Sequence, residues 1–274
     1  MVPSSLRVAV VTGANKGIGY FIALQLGLSG LFSKVILACR DPTRGGIAAK
    51  EMNDVAGGKA DFLFRPLTIG DKESHSAFFQ QMQEEFGKVD VLVNNAGFAH
   101  KGSDPTPFKE QTEKTLAINY YGVVDFTEMM LPLLRKGEDP RLVNVASKAG
   151  YLKQISPALQ SKFTDESLTI PELNKLMQEF AAAVEAGDHK QKGWSNSNYG
   201  TSKLGVIAAT RIWARQEAGK ISVNSCCPGF CATDMSSHKG PRPAEEGAKN
   251  AVIPATMENP PTGAFFSDFT IQEW

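Results

Sequence analysis

Short apolar runs rich in β-branched residues alternate along this chain with longer amphipathic stretches. The runs are RVAVVT (7–12), KVILAC (34–39), DFLFRPL (61–67), VDVLVNN (89–95), RLVNVAS (141–147), ISVNSC (221–226) and GAFFS (263–267). Several are apolar without alternation, as in strands covered on both faces. Strands that take turns with helices pair in parallel, with the helices layered on either side. The pattern predicts an α/β fold: a doubly wound parallel sheet of about seven strands, within a single domain spanning residues 1–274.

The alternation lapses once, between 148 and 198, where Pro157 and Pro171 fall. Within that stretch Leu173, Leu176, Met177, Phe180 and Val184 recur at helical spacing. Thr169 and Glu172 are placed as a capping box. A helix over about 170–186 follows, in an insertion packed on the one domain.

Composition narrows the choice of partner. The 274 residues are 42% hydrophobic and 21% charged, and Lys plus Arg and Asp plus Glu both number 29. So even a balance argues against nucleic acid or an anionic membrane as the main partner and leaves a small molecule. The N-terminal apolar run is too short and too poorly flanked for a signal peptide, and no segment approaches a membrane span, so a cytoplasmic protein is expected. Cys39, Cys226, Cys227 and Cys231 suit neither a disulfide framework nor a zinc site and are expected as reduced thiols, with Cys226 and Cys227 buried and inert. His75, His100, His189 and His238 are scattered, so no metal is assigned, and the loop setting of His100 favours a surface position over one lining the substrate cleft.

The first run leads into TGANKGIG, which puts Gly13, Gly17 and Gly19 where a strand turns into a helix. A pyrophosphate requires that geometry: glycines admit it to the backbone, and the helix N-terminus offers free N–H groups and partial positive charge. At the end of the second run, Cys39 stands where a carboxylate would bind a ribose 2′-hydroxyl, and Arg40 follows it. Arg40, with Lys16 from the glycine loop, suits a 2′-phosphate, so NADP (as NADPH) is expected rather than NAD. Asp41 is expected to point away.

In open α/β sheets the ligand crevice lies beyond the carboxyl ends of the strands. Asn94, Asn95, Ala96 and Gly97 end the fourth run there, and Ser147 ends the fifth. A serine hydroxyl in that place can donate to a carbonyl oxygen as charge develops on it. Tyr199 and Lys203 stand four apart, on one face of a helix. The tyrosine would deliver a proton, and the lysine would favour the phenolate and lower its pKa. Phe98, Trp194, Phe230 and Met235 flank these motifs and are candidates to line the site of an apolar carbonyl substrate, with ordinary core as the equal alternative.

TGANKGIG, NNAG, Asn119 in AINYYG, Ser147 and Tyr199-x-x-x-Lys203, in that order, resemble the short-chain dehydrogenase/reductase family, whose fold is of Rossmann type. The resemblance covers essentially the whole chain. It implies Tyr199 as general acid, Lys203 as its tuner and ribose ligand, Ser147 as the group that orients the carbonyl, and Asn119 as support for a water that links the lysine to solvent. It also implies cofactor contacts at Gly13, Asn15, Lys16, Gly17, Ile18, Gly19, Arg40, Thr68, Ile69, Asn95, Ala96, Gly97, Tyr199, Lys203, Pro228, Gly229, Cys231 and Thr233. The long Ser147–Tyr199 interval, DPTPF (104–108), KGWSNSNYGTSKLG and the final QEW are similar to NADPH-dependent carbonyl reductases, which implies a monomer, because the insertion covers helices that other members use to associate. The chain departs from the family at Thr68, where an aspartate is usual, at Phe230, where a tryptophan is frequent, and at Lys148 and Ala149, where larger apolar residues are expected. Two other functions stay open: an NADP-dependent dehydrogenase of one secondary alcohol, such as a steroid or terpenoid, and a catalytically silent NADPH-binding regulator.

Overall fold

The computed structural model describes residues 6–274. Its sheet is built around β1 (Val8–Thr12), which is buried along its whole length. Val8 and Val10 face one apolar layer, Ala9 and Val11 the other, as the two-residue period of a strand requires. The remaining strands are β2 (Lys34–Cys39), β3 (Asp61–Pro66), β4 (Val91–Asn94), β5 (Arg141–Val145), β6 (Ser222–Cys227), β7 (Phe265–Ser267) and β8 (Thr270–Gln272). Among the described residues they form one sheet in the order β3-β2-β1-β4-β5-β6-β7-β8. Neighbours from β3 to β7 pair in parallel, and β8 alone is antiparallel, on β7.

All seven expected strands form, and three stop short of their apolar runs, at Pro66, Asn94 and Val145. Beyond those points the chain leaves the ladder to line the crevice. β8 is an addition that hydrophobic pattern does not announce, since Thr270, Ile271 and Gln272 are all exposed. It follows from a tight turn in which Asp268 and Phe269 take φ of 51° and 67°, the geometry of a two-residue hairpin.

The helices are α1 (Gly17–Leu28), α2 (Pro42–Ala56), α3 (Lys72–Glu85), α4 (Phe108–Leu116), α5 (Gly122–Leu134), α6 (Pro157–Thr164), α7 (Ile170–Ala186), α8 (Asn198–Gln216) and α9 (Ala244–Thr256). α1, α2 and α9 bury apolar faces on one side of the sheet, and α3, α5 and α8 on the other. A π-helical turn, Ala117–Tyr121, joins α4 to α5. β1 and β4 are neighbours while β1 connects outward to β2, so the reversal of strand order opens a crevice between them.

α7 has the expected bounds, with the Thr169–Glu172 capping box in place and Gly187 in left-handed conformation at its end. Leu173, Met177 and Phe180 on its inner face are fully buried, each contributing roughly 1.5–3 kcal/mol of burial. The helix packs on α4 and α8. At the seam Gly205 leaves room for its neighbours: a Cβ there would lie 2.7 Å from the Tyr120 ring and 3.1 Å from Met177 Sδ. Trp194 takes the core alternative. Its ring centroid lies 5.5 Å from that of Phe180 and 6.0 Å from that of Phe163, so the indole is buried where it fastens the insertion to the core. An apolar ring beside a catalytic motif in sequence is drawn here to the larger apolar surface, that of the insertion.

Candidate active site

The glycine loop is shaped by contacts that only glycine permits. Gly13 and Gly17 take φ of +66° and +58°, and a Cβ on Gly19 would come within 2.4 Å of both Asn95 Nδ2 and Gly13 O. Asn95 Nδ2 donates to Thr12 O (2.9 Å), and the backbone N–H groups of Asn95 and Ala96 both donate to Thr12 Oγ1 (2.9 Å each). The Asn95 amide therefore holds the β1 and β4 turns together. Asn15 and Ile18 are half-buried in the same loop. Lys16, the N-cap of α1, makes no side-chain cap, whereas Asp41 and Asp71 cap α2 and α3. Open N–H groups at the positive end of α1, beside a glycine cradle, fit a pyrophosphate.

At the end of β2 the Cys39 thiol is buried, which pushes its pKa up to about 11. Arg40 is exposed and has no partner among the described residues. Asp41 turns away as expected, accepting from Arg44 N at 3.0 Å. Lys16 departs from expectation: its ammonium pairs with Asp234 at 2.6 Å, because the segment after β6 folds over the loop. That fold also brings the Thr233 methyl 3.5 Å from where a Gly17 Cβ would be. Pro228 and Gly229 (φ +84°) start this segment. Cys231 is turned inward, its thiol donating to Pro228 O at 3.3 Å, which leaves its backbone for the expected cofactor contact. Thr68 and Ile69 follow β3 half-buried, with Thr68 N donating to Ser74 Oγ (2.9 Å).

Ser147, Tyr199, Lys203 and Asn119 converge at the carboxyl edge of β4, β5 and β6. Tyr199 lies in the first turn of α8, whose N-cap Ser197 accepts from Gly200 N at 2.9 Å. Ser147 hydrogen-bonds the Tyr199 side chain, and Ser147 Oγ accepts from Ala149 N at 3.1 Å. Lys203 Nζ donates to Val145 O (2.9 Å) and stands 5.7 Å from the Tyr199 ring centroid. Asn119 lies in the π-turn. Its Oδ1 accepts from Phe98 N, and its Nδ2 donates to Phe98 O (both 2.7 Å) and to Ser202 Oγ (3.2 Å). The Asn119 amide thus docks the turn after β4 onto the helix. Gly97 lies between the two, with its Cβ position 3.6 Å from both Asn119 Oδ1 and Lys203 Nζ.

Burial sets the electrostatics. It pushes Tyr199 up to about 12, with the nearby Cys227 adding and the Ser147 hydrogen bond opposing, and it pushes Lys203 down to about 8. The expectation that Lys203 lowers the Tyr199 pKa is not met: loss of solvent outweighs the charge, and the ammonium is directed to Val145. Cys226 is buried and its thiol is raised far above the ordinary range, which makes it inert.

The candidate substrate residues part company. Phe98 is half-buried, with Lys114 Nζ 4.6 Å from its ring centroid and the His100 ring edge-on at 4.8 Å. Phe230 (59%) and Met235 (43%) are largely exposed on the segment after β6. His100 is not a surface residue: its side chain is 11% exposed and Nδ1 lies 2.8 Å from Asp104. Sequence reasoning gave no role to Thr12 or Trp274, although they stand at the ends of TGANKGIG and QEW, and Asp268 falls in no motif at all.

The short chain dehydrogenase family matches residues 7–163 and 182–244 of this sequence. The chain belongs to that family. Among the curated relatives of this short-chain dehydrogenase, human carbonyl reductase [NADPH] 1 is 41% identical over 286 residues, covering 99% of each chain. The solved structure of salutaridine reductase from Papaver somniferum is 31% identical, with a TM-score of 0.85, and the match covers 95% of this chain and 99% of that one. Menthone neomenthol reductase from Mentha piperita is 29% identical, with a TM-score of 0.81 and coverage of 96% and 99%.

Proposed function

We propose that the protein is a carbonyl reductase that moves hydride from NADPH to aldehydes, ketones or quinones, with Tyr199 as the proton donor. The observation that carries this reading is the meeting of Ser147, Tyr199 and Lys203 at the sheet edge that faces the glycine loop. Gly13, Gly17 and the open N-terminus of α1 would hold the pyrophosphate, Arg40 the 2′-phosphate, and Lys203 the nicotinamide ribose; the bound NADPH supplies the hydride. Ser147 donates to the substrate oxygen and orients it. Tyr199, with a pKa of about 12, keeps its proton at neutral pH until the oxygen gains charge. The alkoxide left by hydride addition is more basic than a phenolate, so the transfer then runs downhill and yields the alcohol. The Lys203 ammonium, charged below about pH 8, would hold the ribose with that charge.

A protonated tyrosine favours reduction over oxidation, which weighs against a dehydrogenase of one secondary alcohol. No helix among the described residues is long and apolar enough to cross a membrane, and the reading places the enzyme in the cytoplasm. α7, packed over α4 and α8, supports a monomer. The test is NADPH oxidation across quinones, diketones, aldehydes and ketosteroids. Tyr199→Phe is expected to lower kcat by roughly 10²–10⁴-fold with NADPH binding intact. Reduction at full rate by this variant would overturn the mechanism.

A further inference from the structure

We propose that Asp268, on the hairpin turn between β7 and β8, is a positioning residue that ties the carbonyl side of the cleft to its cofactor side. The inference rests on the reading of Ser147 as the group that orients the substrate oxygen. Asp268 Oδ2 accepts from Lys148 Nζ at 2.5 Å, and Oδ1 accepts from Arg242 Nη2 at 2.8 Å. The two cations belong to opposite walls.

Lys148 follows Ser147 directly and opens the 3-10 turn Lys148–Gly150. The orientation of Ser147 Oγ depends on that turn, since it accepts from Ala149 N within it. The same chain segment fixes the turn a second time: the Trp274 indole donates to Gly150 O at 2.9 Å. The turn also packs on the start of α8: a Cβ on Gly150 would lie 2.6 Å from Lys203 C, and one on Gly200 2.8 Å from Ala149 O, so the turn borders the reacting groups.

Arg242 holds the other wall. Its Nη1 donates to Pro228 O at 3.0 Å, and Nη1 occupies space 2.4 Å from where a Gly229 Cβ would be. Its Nε pairs with Glu246 at 3.3 Å, and the guanidinium lies 5.4 Å from the Phe269 ring centroid. The base of the clamp is firm, because Phe269 N donates to Asn250 Oδ1 at 2.9 Å and Asn250 is fully buried on α9. Two cations on one carboxylate hold its pKa down to about 2, so the bridge stays charged in any ordinary buffer.

Lys148 and Asp268 have side chains 44% and 46% exposed, and pairs so open to water add little to stability. The bridge therefore acts by placement, and that separates it from a merely structural role. Asp268→Asn removes the charge while keeping a residue that tolerates positive φ. With the full-length enzyme, this variant is expected to lower kcat for carbonyl reduction about tenfold and to raise KM for NADPH several-fold. Its melting temperature should stay within about 3 °C of wild type. Lys148→Met should reproduce the kcat loss alone and Arg242→Met the NADPH effect alone, and adding Asp268→Asn to Lys148→Met should lower kcat no further. An Asp268→Asn enzyme with wild-type kcat and KM, or one losing activity only in step with thermal stability, would overturn the clamp. Tyr199→Phe run beside it tests the reading of the active site separately.

Discussion

Lys203 is 5% exposed, and an ammonium so placed forfeits most of its hydration for a single hydrogen bond to Val145 O. Its pKa falls from 10.5 to about 8, which corresponds to on the order of 3 kcal/mol against the charged form. The folded state binds this proton less readily than the unfolded chain, so the penalty is present in full below pH 8 and fades as pH rises toward 10.5. Lys203→Met is expected to abolish reduction yet raise the melting temperature, by most at neutral pH and by little near pH 10.5, as a calorimetric pH series would show. In the wild type, reduction should decline as pH rises through about 8, where the ammonium loses its charge. The four-residue spacing of Tyr199 and Lys203 made the pair legible, because a helix puts such residues on one face. Their tuning was not legible, because desolvation depends on what surrounds the pair. For the same reason the side-chain packing of Asn95, Cys231 and Trp194 was not legible: a motif names a residue without fixing where its side chain turns.

At the scale of elements, the seam between α7, α8 and the π-turn depends on one missing methyl group. Gly205→Ala would place a Cβ 2.7 Å from the Tyr120 ring, and overpacking of this kind costs about 1–3 kcal/mol. Urea unfolding should register that loss. α7 was fully legible, because a capping box and an apolar stripe act within a single helix. β8 was hidden for the opposite reason: three exposed residues carry no pattern, and the strand exists because Asp268 and Phe269 turn the chain back on β7. Strand ends were blurred where the apolar runs continue out of the ladder into the crevice.

For the molecule as a whole, a parallel sheet gathers the ends of β1, β2, β4, β5 and β6 at one edge, which is why motifs far apart in sequence meet. Their order along the chain was enough to read the fold and to predict which candidate groups meet at that edge. The rim was not readable, since Asp268, Arg242 and Lys148 come together only through the β7–β8 hairpin. With α7 laid over α4 and α8, sedimentation at micromolar concentration is expected to give the mass of one chain, and a stable dimer would refute the monomer. The π-turn at Ala117–Tyr121 has a further consequence for the length of the chain. Each helical residue advances the phase by about 100°, so the turn acts as a phase shifter between α4, which meets the insertion, and α5, which lies on the sheet. Removing one residue there would let the helix run regularly and swing the two halves out of phase. Asn119 would then leave Phe98, and an alteration of a single residue would undo a contact that many substitutions elsewhere would leave intact.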